Sequence, residues 1–262
     1  MQHEKQKEVE TLLNNKIPVL LEGPSGSGKT TILMNAAKNA KRPYSFISGT
    51  RQTTVSHIIG FMNVNGEYSS TPFRKAYTEG HYFNIDEIDA MDSNVLLIFN
   101  SLENDIMYFP DGYSEPPHKD FRFMATANPQ DMHHSYVGRN KIDAATLDRF
   151  DEVTVDRDSK LESSLVDEET LMYIDLLRQA VEKTNTPVVI SMRDSMRYQK
   201  RKDLGLIEGF VKKLVRNHEV AEDEFNRLVE AIPKKQNVSS CKDYDDLINL
   251  LKARVKQHGD KT

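Results

Sequence analysis

The 262-residue sequence contains a single cysteine, Cys241, so it can neither close an internal disulfide nor supply a cysteine-rich metal framework, and it suits a reducing compartment, the cytoplasm. It also lacks long apolar runs. The longest, such as VLLIF at residues 95–99, are too short to span a bilayer, and the amino terminus, MQHEKQKEVE, is charged from the outset, so no export and no membrane association are expected. There is no excess of positive charge: 35 basic residues face 40 acidic ones, a net charge of -5, which argues against a surface that generally grips nucleic acid. The histidines, His118, His133 and His134 among them, lack the spacing of a zinc site, and no G-x-S-x-G nucleophile motif occurs.

What is present is length enough for a core domain with a smaller satellite, and an ordered alternation of elements. Five strand-compatible runs begin at Lys16 (KIPVLLEG), Tyr44 (YSFISGT), His81 (HYFNIDEID), Phe121 (FRFMATANP) and Asp151 (DEVTVD). Helix-length intervals between most of them predict a parallel α/β sheet. Past Asp156 the texture changes. ETLMYIDLLRQAVEKT and YDDLINLLKARVKQH place Leu171, Ile174, Leu177 and Val181, then Tyr244, Leu247, Ile248, Leu251 and Val255, at three- and four-residue steps, the signature of amphipathic helices. The acidic, serine-containing DRDSKLESSLVDEE between these regions is a linker, which puts the expected boundary near Arg157 and the domains at 1–156 and 157–262.

Two insertions interrupt the first domain. In FMNVNGEYSS, about residues 61–70, Asn65-Gly66 favours a tight hairpin turn. In MYFPDGYSEPPHKDF, residues 107–121, Asp111-Gly112 and Pro116-Pro117 mark turns, so this stretch should project as a hairpin or loop ahead of the fourth strand. As surface features both are candidates for contact with a partner.

GPSGSGKT, Gly23 to Thr30, satisfies G-x-x-x-x-G-K-[ST], follows an apolar run and precedes the helix-compatible TILMNAAKNA. Gly23, Pro24, Ser25, Gly26, Ser27 and Gly28 form a loop whose backbone can fold closely around phosphate oxygens, aiming N–H groups and the positive end of a helix at them. Lys29 adds a cation, Thr30 can ligate Mg²⁺, and Thr31 completes the expected nucleotide-binding segment. A glycine-rich turn that binds nothing is the competing reading of a lone G-x-G, but not of the full eight-residue match in strand, loop and helix context. The run YFNIDEID ends in Asp86, which can hold Mg²⁺ through water, and Glu87, the natural general base for an attacking water. FMATANP ends in Asn128, whose amide could orient that water or touch the γ-phosphate.

GPSGSGKT, NIDEID, ATANP, LDRF and ISMRDS, in this order, resemble the AAA+ ATPases, and more narrowly their MoxR-like and dynein-related group. FPDG, HKDFRFMATAN and YVGRNKIDAATLDRF are similar to phage- and prophage-encoded members, and the resemblance spans about residues 17–200. It implies a P-loop NTPase fold: a five-stranded parallel core sheet flanked by helices, a small helical lid, ATP with Mg²⁺ between them, and a homo-oligomeric ring, usually of six subunits. It makes Lys29 and Thr30 part of Walker A, Asp86 and Glu87 Walker B, Asn128 sensor 1, Arg149 a trans-acting arginine finger and Arg193 the lid's sensor 2 arginine. Met192 stands where the family more often has proline. The insertions match the helix-2 insert and the pre-sensor 1 hairpin, Arg139 is a second arginine that could reach a neighbour, and the implied adaptor is a protein with a von Willebrand A-type domain.

The expected function is therefore a ring-forming ATPase that remodels a protein partner or complex, with Asp148 and Asp151 holding Arg149 when no neighbour is present. Two alternatives stay open. One is a P-loop small-molecule kinase, against which Asp86-Glu87 and Asn128 count. The other is a nucleic-acid-associated loader or adaptor, for which the basic cluster at 193–202 is the candidate, although helical spacing would scatter Arg197, Lys200, Arg201 and Lys202 over a solvated face.

Overall fold

A computed structural model describes residues 2–104, 106–128, 142, 144–184 and 188–206. The second predicted amphipathic stretch, with Tyr244 to Val255, lies outside these residues, as do Cys241, Arg139, His133 and His134. The chain divides into two compact units, one within residues 2–156 and the other from Arg157 onward.

The first unit runs α1 (Gln6–Asn14), β1 (Val19–Glu22), α2 (Lys29–Asn39), β2 (Tyr44–Ser48), α3 (Val55–Ile59), β3 (Phe61–Met62), β4 (Tyr68–Ser69), α4 (Pro72–Glu79), β5 (Tyr82–Asp86), α5 (Ser93–Leu96), β6 (Arg122–Ala127), α6 (Ala144–Leu147) and β7 (Asp151–Thr154). The five strands predicted from the sequence form one sheet in the order β2-β5-β6-β1-β7, every neighbouring pair parallel. Both faces are covered, which is why the central strands are apolar almost throughout. Along β1, Leu20 joins the cluster of Phe73, Phe83, Phe99 and Phe123, while Val19 and Leu21 join Leu33, Met124 and Val153 on the opposite face. That two-residue alternation locks the register, because a one-residue slip would exchange the two cores.

α4 shows how local chemistry sets an element's limits. The Thr71 hydroxyl accepts the Arg74 N–H at 3.2 Å, Pro72 occupies the first turn, and Gly80 ends the helix in the left-handed region with φ 78°. A Cβ at Gly80 would come within 2.2 Å of the His118 ring, so both the conformation and the close approach require glycine.

The first insertion is the expected hairpin: β3 and β4 pair antiparallel, and the Asn63 side chain accepts the N–H groups of Asn65 and Glu67, each at 2.9 Å. The second forms a turn, not a strand ladder. Phe109 donates to the Tyr113 carbonyl at 2.9 Å around Gly112, while Pro110, Pro116 and Pro117 remove N–H groups that a ladder would need. Both insertions close on Arg74 of α4. Its guanidinium lies 3.8 Å from the Tyr113 ring centre, 4.2 Å from Phe109 and 5.3 Å from Tyr68, and it pairs with Asp111 at 3.1 Å. With the arginine side chain only 12% exposed, these contacts are partly shielded from water and correspondingly stronger.

The described part of the second unit contains α7 (Ser159–Leu165), α8 (Glu168–Thr184) and α9 (Met192–Asp203). A buried carboxylate ties them together: Glu162 accepts from Arg178 at 2.7 Å, from Arg157 at 3.1 Å and from the Ser195 hydroxyl. Removing one member would leave an uncompensated buried charge. Asp167 caps α8 through the Thr170 N–H at 2.7 Å and pairs with Lys202 of α9 at 3.0 Å. Burial alone would raise its pKa, but the hydrogen bonds it accepts from the Thr170 amide and the Lys202 ammonium outweigh that and hold the carboxyl well below the usual range.

Two expectations follow from these contacts. Arg74→Ala should speed amide exchange in residues 61–69 and 109–113 together and cost roughly 1–3 kcal/mol in opening free energy there; acceleration of only one segment would contradict a shared anchor. Asp167→Ala should cost about 1 kcal/mol at neutral pH for the lost cap. Because the folded pKa is depressed, that deficit should shrink as pH falls below about 4, where the wild-type advantage itself is lost; thermal unfolding of both proteins between neutral and acid pH measures it.

Candidate functional site

Strands β5, β6 and β1 lie side by side, with Ile85 level with Ala125 and Glu22 level with Ala127. The carboxyl ends of these strands therefore present Asp86, Asn128 and the start of the glycine loop along one edge, where open α/β sheets bind ligands. The loop's geometry depends on its glycines. Gly26 and Gly28 have φ of 79° and 106°, and a Cβ at Gly23 would approach the Val155 carbonyl oxygen to 2.1 Å. Helix α2 starts directly at Lys29 with no side-chain cap, leaving its first amides for an anion. Inside the loop the Ser27 hydroxyl is buried and has no hydrogen-bond partner, so the cradle carries a polar atom that an anionic oxygen would satisfy.

The Lys29 ammonium donates to the carbonyls of Gly23 and Pro24 and, at 3.2 Å, to Oδ1 of Asn128. Thr30 donates to Oδ1 of Asp86 at 3.2 Å. Four residues picked out from three separate stretches of sequence thus meet at one edge. The Thr30 hydroxyl and Asp86 carboxylate are hard oxygen donors of the kind Mg²⁺ takes. Mg²⁺ is usually held by one or two carboxylates together with waters and substrate phosphates, so this donor pair fits the ion that accompanies a bound nucleotide. Ser25 in the loop and Thr31 in the first turn of α2 are exposed, and Pro24 is partly covered.

Glu87 stands one step beyond β5 in the left-handed region, φ 59° and ψ 50°, as the chain enters the 3-10 turn Ile88–Ala90. Its amide donates to the Thr126 hydroxyl at 3.0 Å, and that hydroxyl donates to Asp86 Oδ1 at 2.6 Å. On the other side, the Gly49 amide donates to the Asp86 carbonyl at 2.6 Å. Sequence reasoning missed Thr126. Its signal was a hydroxyl at a buried position two residues before Asn128, in a strand otherwise built of apolar side chains from Phe123 to Ala127.

Arg149 is placed elsewhere. β7 pairs with β1 so that Asp151 is level with Val19 and Thr154 with Glu22, which puts Arg149 before the amino end of β7. At about 3.3 Å per residue, the start of that strand is already about 13 Å along the sheet from the level of Gly23. Arg149 shares the lining of a cavity of about 650 Å³ with Lys16, Pro18 and Arg122, residues at the amino ends of their strands. Its guanidinium donates to the carbonyl of Ala145, the second residue of the four-residue α6, whereas Asp148 and Asp151 were the expected partners. In a helix of four residues the Ala145 carbonyl lies among the last four, which lack intrahelical partners and are ready acceptors, while Asp148 and Asp151 are exposed.

In the helical unit Arg193 is exposed in the first turn of α9, and Met192 is buried without disturbing the start of that helix, which the Ser191–Asp194 capping box sets. Of the basic cluster, Lys202 pairs with Asp167 and Glu169, and Arg201 donates to the Leu206 carbonyl at 2.9 Å. Those two cations are engaged within the unit.

A parallel α/β sheet with a phosphate loop after β1 and a carboxylate at the end of β5, one strand removed across β6, defines the P-loop nucleotide-binding class. Within it, the family described as AAA domain (dynein-related subfamily) matches residues 18–150, half of the chain, and the chain belongs to that family. It is 29% identical to Midasin of Giardia intestinalis over 143 residues, 52% of this chain but 3% of that protein. It is 25% identical to an uncharacterised protein of Staphylococcus saprophyticus over 190 residues, 68% of this chain and 70% of the relative. The crystal structure of NtrX from Brucella abortus shares the fold, with a TM-score of 0.50 at 14% identity, covering 80% of this chain and 50% of that one.

Lys29→Met should weaken binding of a fluorescent ATP analogue about 10- to 100-fold, the loss of hydrogen bonding from a charged group, while leaving the circular dichroism spectrum unchanged. Unaltered affinity would mean that phosphate is held elsewhere.

Proposed function

We propose that this AAA protein is a Mg²⁺-dependent ATPase, acting in the cytoplasm as a homo-oligomeric ring, with a hexamer as the expected size, that remodels a protein partner or complex. The convergence of Lys29 with Asn128 and of Thr30 with Asp86 carries the ATPase reading. In it, Lys29 exchanges the carbonyls of Gly23 and Pro24 for phosphate oxygens. Thr30 and Asp86 would hold Mg²⁺, which supplies charge neutralisation on the phosphates. The Asn128 amide orients a water, Glu87 takes its proton, the water oxygen bonds to the γ-phosphorus, and the bond to the bridging oxygen breaks to release ADP. Residues 157–262 act as the lid, with Arg193 as its nucleotide-facing arginine.

The position of Arg149 supports assembly. Lying at the opposite edge of the sheet from its own glycine loop, it suits the nucleotide of a neighbouring copy, where it would neutralise charge developing on the γ-phosphate. The insertions, which expose Phe61, Val64 and Tyr108, are the candidate contacts for the partner, with a von Willebrand A-type protein as the adaptor to look for. Nucleic acid is not the proposed substrate.

ATP turnover without any added acceptor should be readily measurable; a small-molecule kinase would be nearly silent in that assay, and a nucleic-acid loader would need DNA or RNA for activity. Arg149→Ala should keep nucleotide affinity and lose about 10³-fold or more in turnover. Mixing it with Glu87→Gln subunits should restore part of the activity, because each supplies what the other lacks. Normal hydrolysis by Arg149→Ala alone would remove the arginine from the mechanism.

A further inference from the structure

We propose that Thr126 is a positioning residue that sets the relative orientation of Asp86 and Glu87, so that the metal-holding carboxylate and the base are aligned through one hydroxyl. The inference rests on the ATPase reading above and deepens it. The peptide unit joining Asp86 to Glu87 is held at both ends: its carbonyl oxygen accepts the Gly49 amide at 2.6 Å, and its N–H donates to Thr126 Oγ1 at 3.0 Å. A threonine hydroxyl has one proton, and this one goes to Asp86 Oδ1 at 2.6 Å. The result is a directional chain from the Glu87 amide through the hydroxyl to the Asp86 carboxylate, in which each bond polarises the next.

Three features indicate that this chain is maintained for a purpose. Thr126 is 1% exposed, so water does not substitute for its contacts, and a hydroxyl buried in an otherwise apolar strand is unfavourable unless both of its roles are filled. Glu87 occupies a left-handed conformation, φ 59°, that side chains other than glycine rarely adopt, and the Thr126 hydroxyl accepts the amide that fixes it. Thr30 meets the same Asp86 oxygen at 3.2 Å, so the hydroxyl of β6 and the hydroxyl of the phosphate loop jointly aim the carboxylate. The β-branched side chain restricts rotation about χ1, keeping Oγ1 directed at both partners.

Thr126→Val keeps the shape and removes the hydroxyl; Thr126→Ser keeps the hydroxyl. With ADP bound, Mn²⁺ used as the probe and titrated by electron paramagnetic resonance should bind Thr126→Val about 10-fold or more weakly, the scale of one lost hydrogen bond to a charged group. The half-saturating Mg²⁺ concentration for turnover should rise in parallel, while ADP affinity in EDTA stays within about twofold of wild type and Thr126→Ser recovers wild-type metal binding. A merely structural threonine would lower the melting temperature without moving the metal affinity of the folded protein. Wild-type Mn²⁺ affinity and turnover in Thr126→Val, or a loss in Thr126→Ser equal to that in Thr126→Val, overturns the proposal. Should the valine variant not fold, Thr126→Ala serves with the same readouts. Failure of the ATPase reading itself would be seen as a wild-type protein that hydrolyses no ATP, and the Mn²⁺ titration, which needs no turnover, still decides the role of Thr126.

Discussion

The parallel register of β1 with its neighbours β6 and β7 is the constraint from which the rest of the molecule's chemistry follows. On one side it sets Glu22 level with Ala127, so the glycine loop opens beside Asn128 and within reach of Lys29. On the other it sets Val19 level with Asp151, so Arg149 enters the sheet at the far end. The same pairing both gathers the groups proposed to bind phosphate and separates one conspicuous arginine from them. Two apolar cores, one on each face of the sheet, hold that register, since sliding by one residue would turn Leu20 and Val19 to the wrong sides.

Around this frame the less regular parts are secured by a few charged side chains partly or wholly removed from water. Arg74 gathers rings from both insertions and an ion pair from Asp111, making two loops distant in sequence share one anchor. In the helical unit Glu162 performs a similar task for three helices by accepting from Arg157, Arg178 and Ser195. Such groups specify arrangement more than they add stability, because desolvating them offsets much of their mutual attraction.

Much of this was legible from the amino-acid order. The five strands were legible as short strand-compatible runs, and the glycine loop, Asp86 and Asn128 stood at the carboxyl ends of three of them, ends that a parallel sheet places on one edge. Asn65-Gly66 likewise encoded its own hairpin. Contacts between residues far apart in the chain were not legible. Thr126 looked like one more strand residue until Asp86 and Glu87 were placed beside it, and nothing in the sequence around Arg74 marked it as the shared anchor of two insertions. Arg149 was singled out from its sequence context with Asp148 and Asp151 as its expected resting partners, whereas its guanidinium donates to the Ala145 carbonyl of α6. Of the hairpin or loop expected for the second insertion the structure has the loop, a turn around Gly112, since proline removes ladder donors regardless of turn chemistry.

The central claim is that the nucleotide site is completed by another copy of the chain. ATP turnover per subunit, measured as the protein is diluted through the range in which it assembles, tests this most directly. Turnover per subunit should collapse with the oligomer on dilution and recover on reconcentration. Turnover per subunit that stays constant down to a demonstrably monomeric state would contradict it.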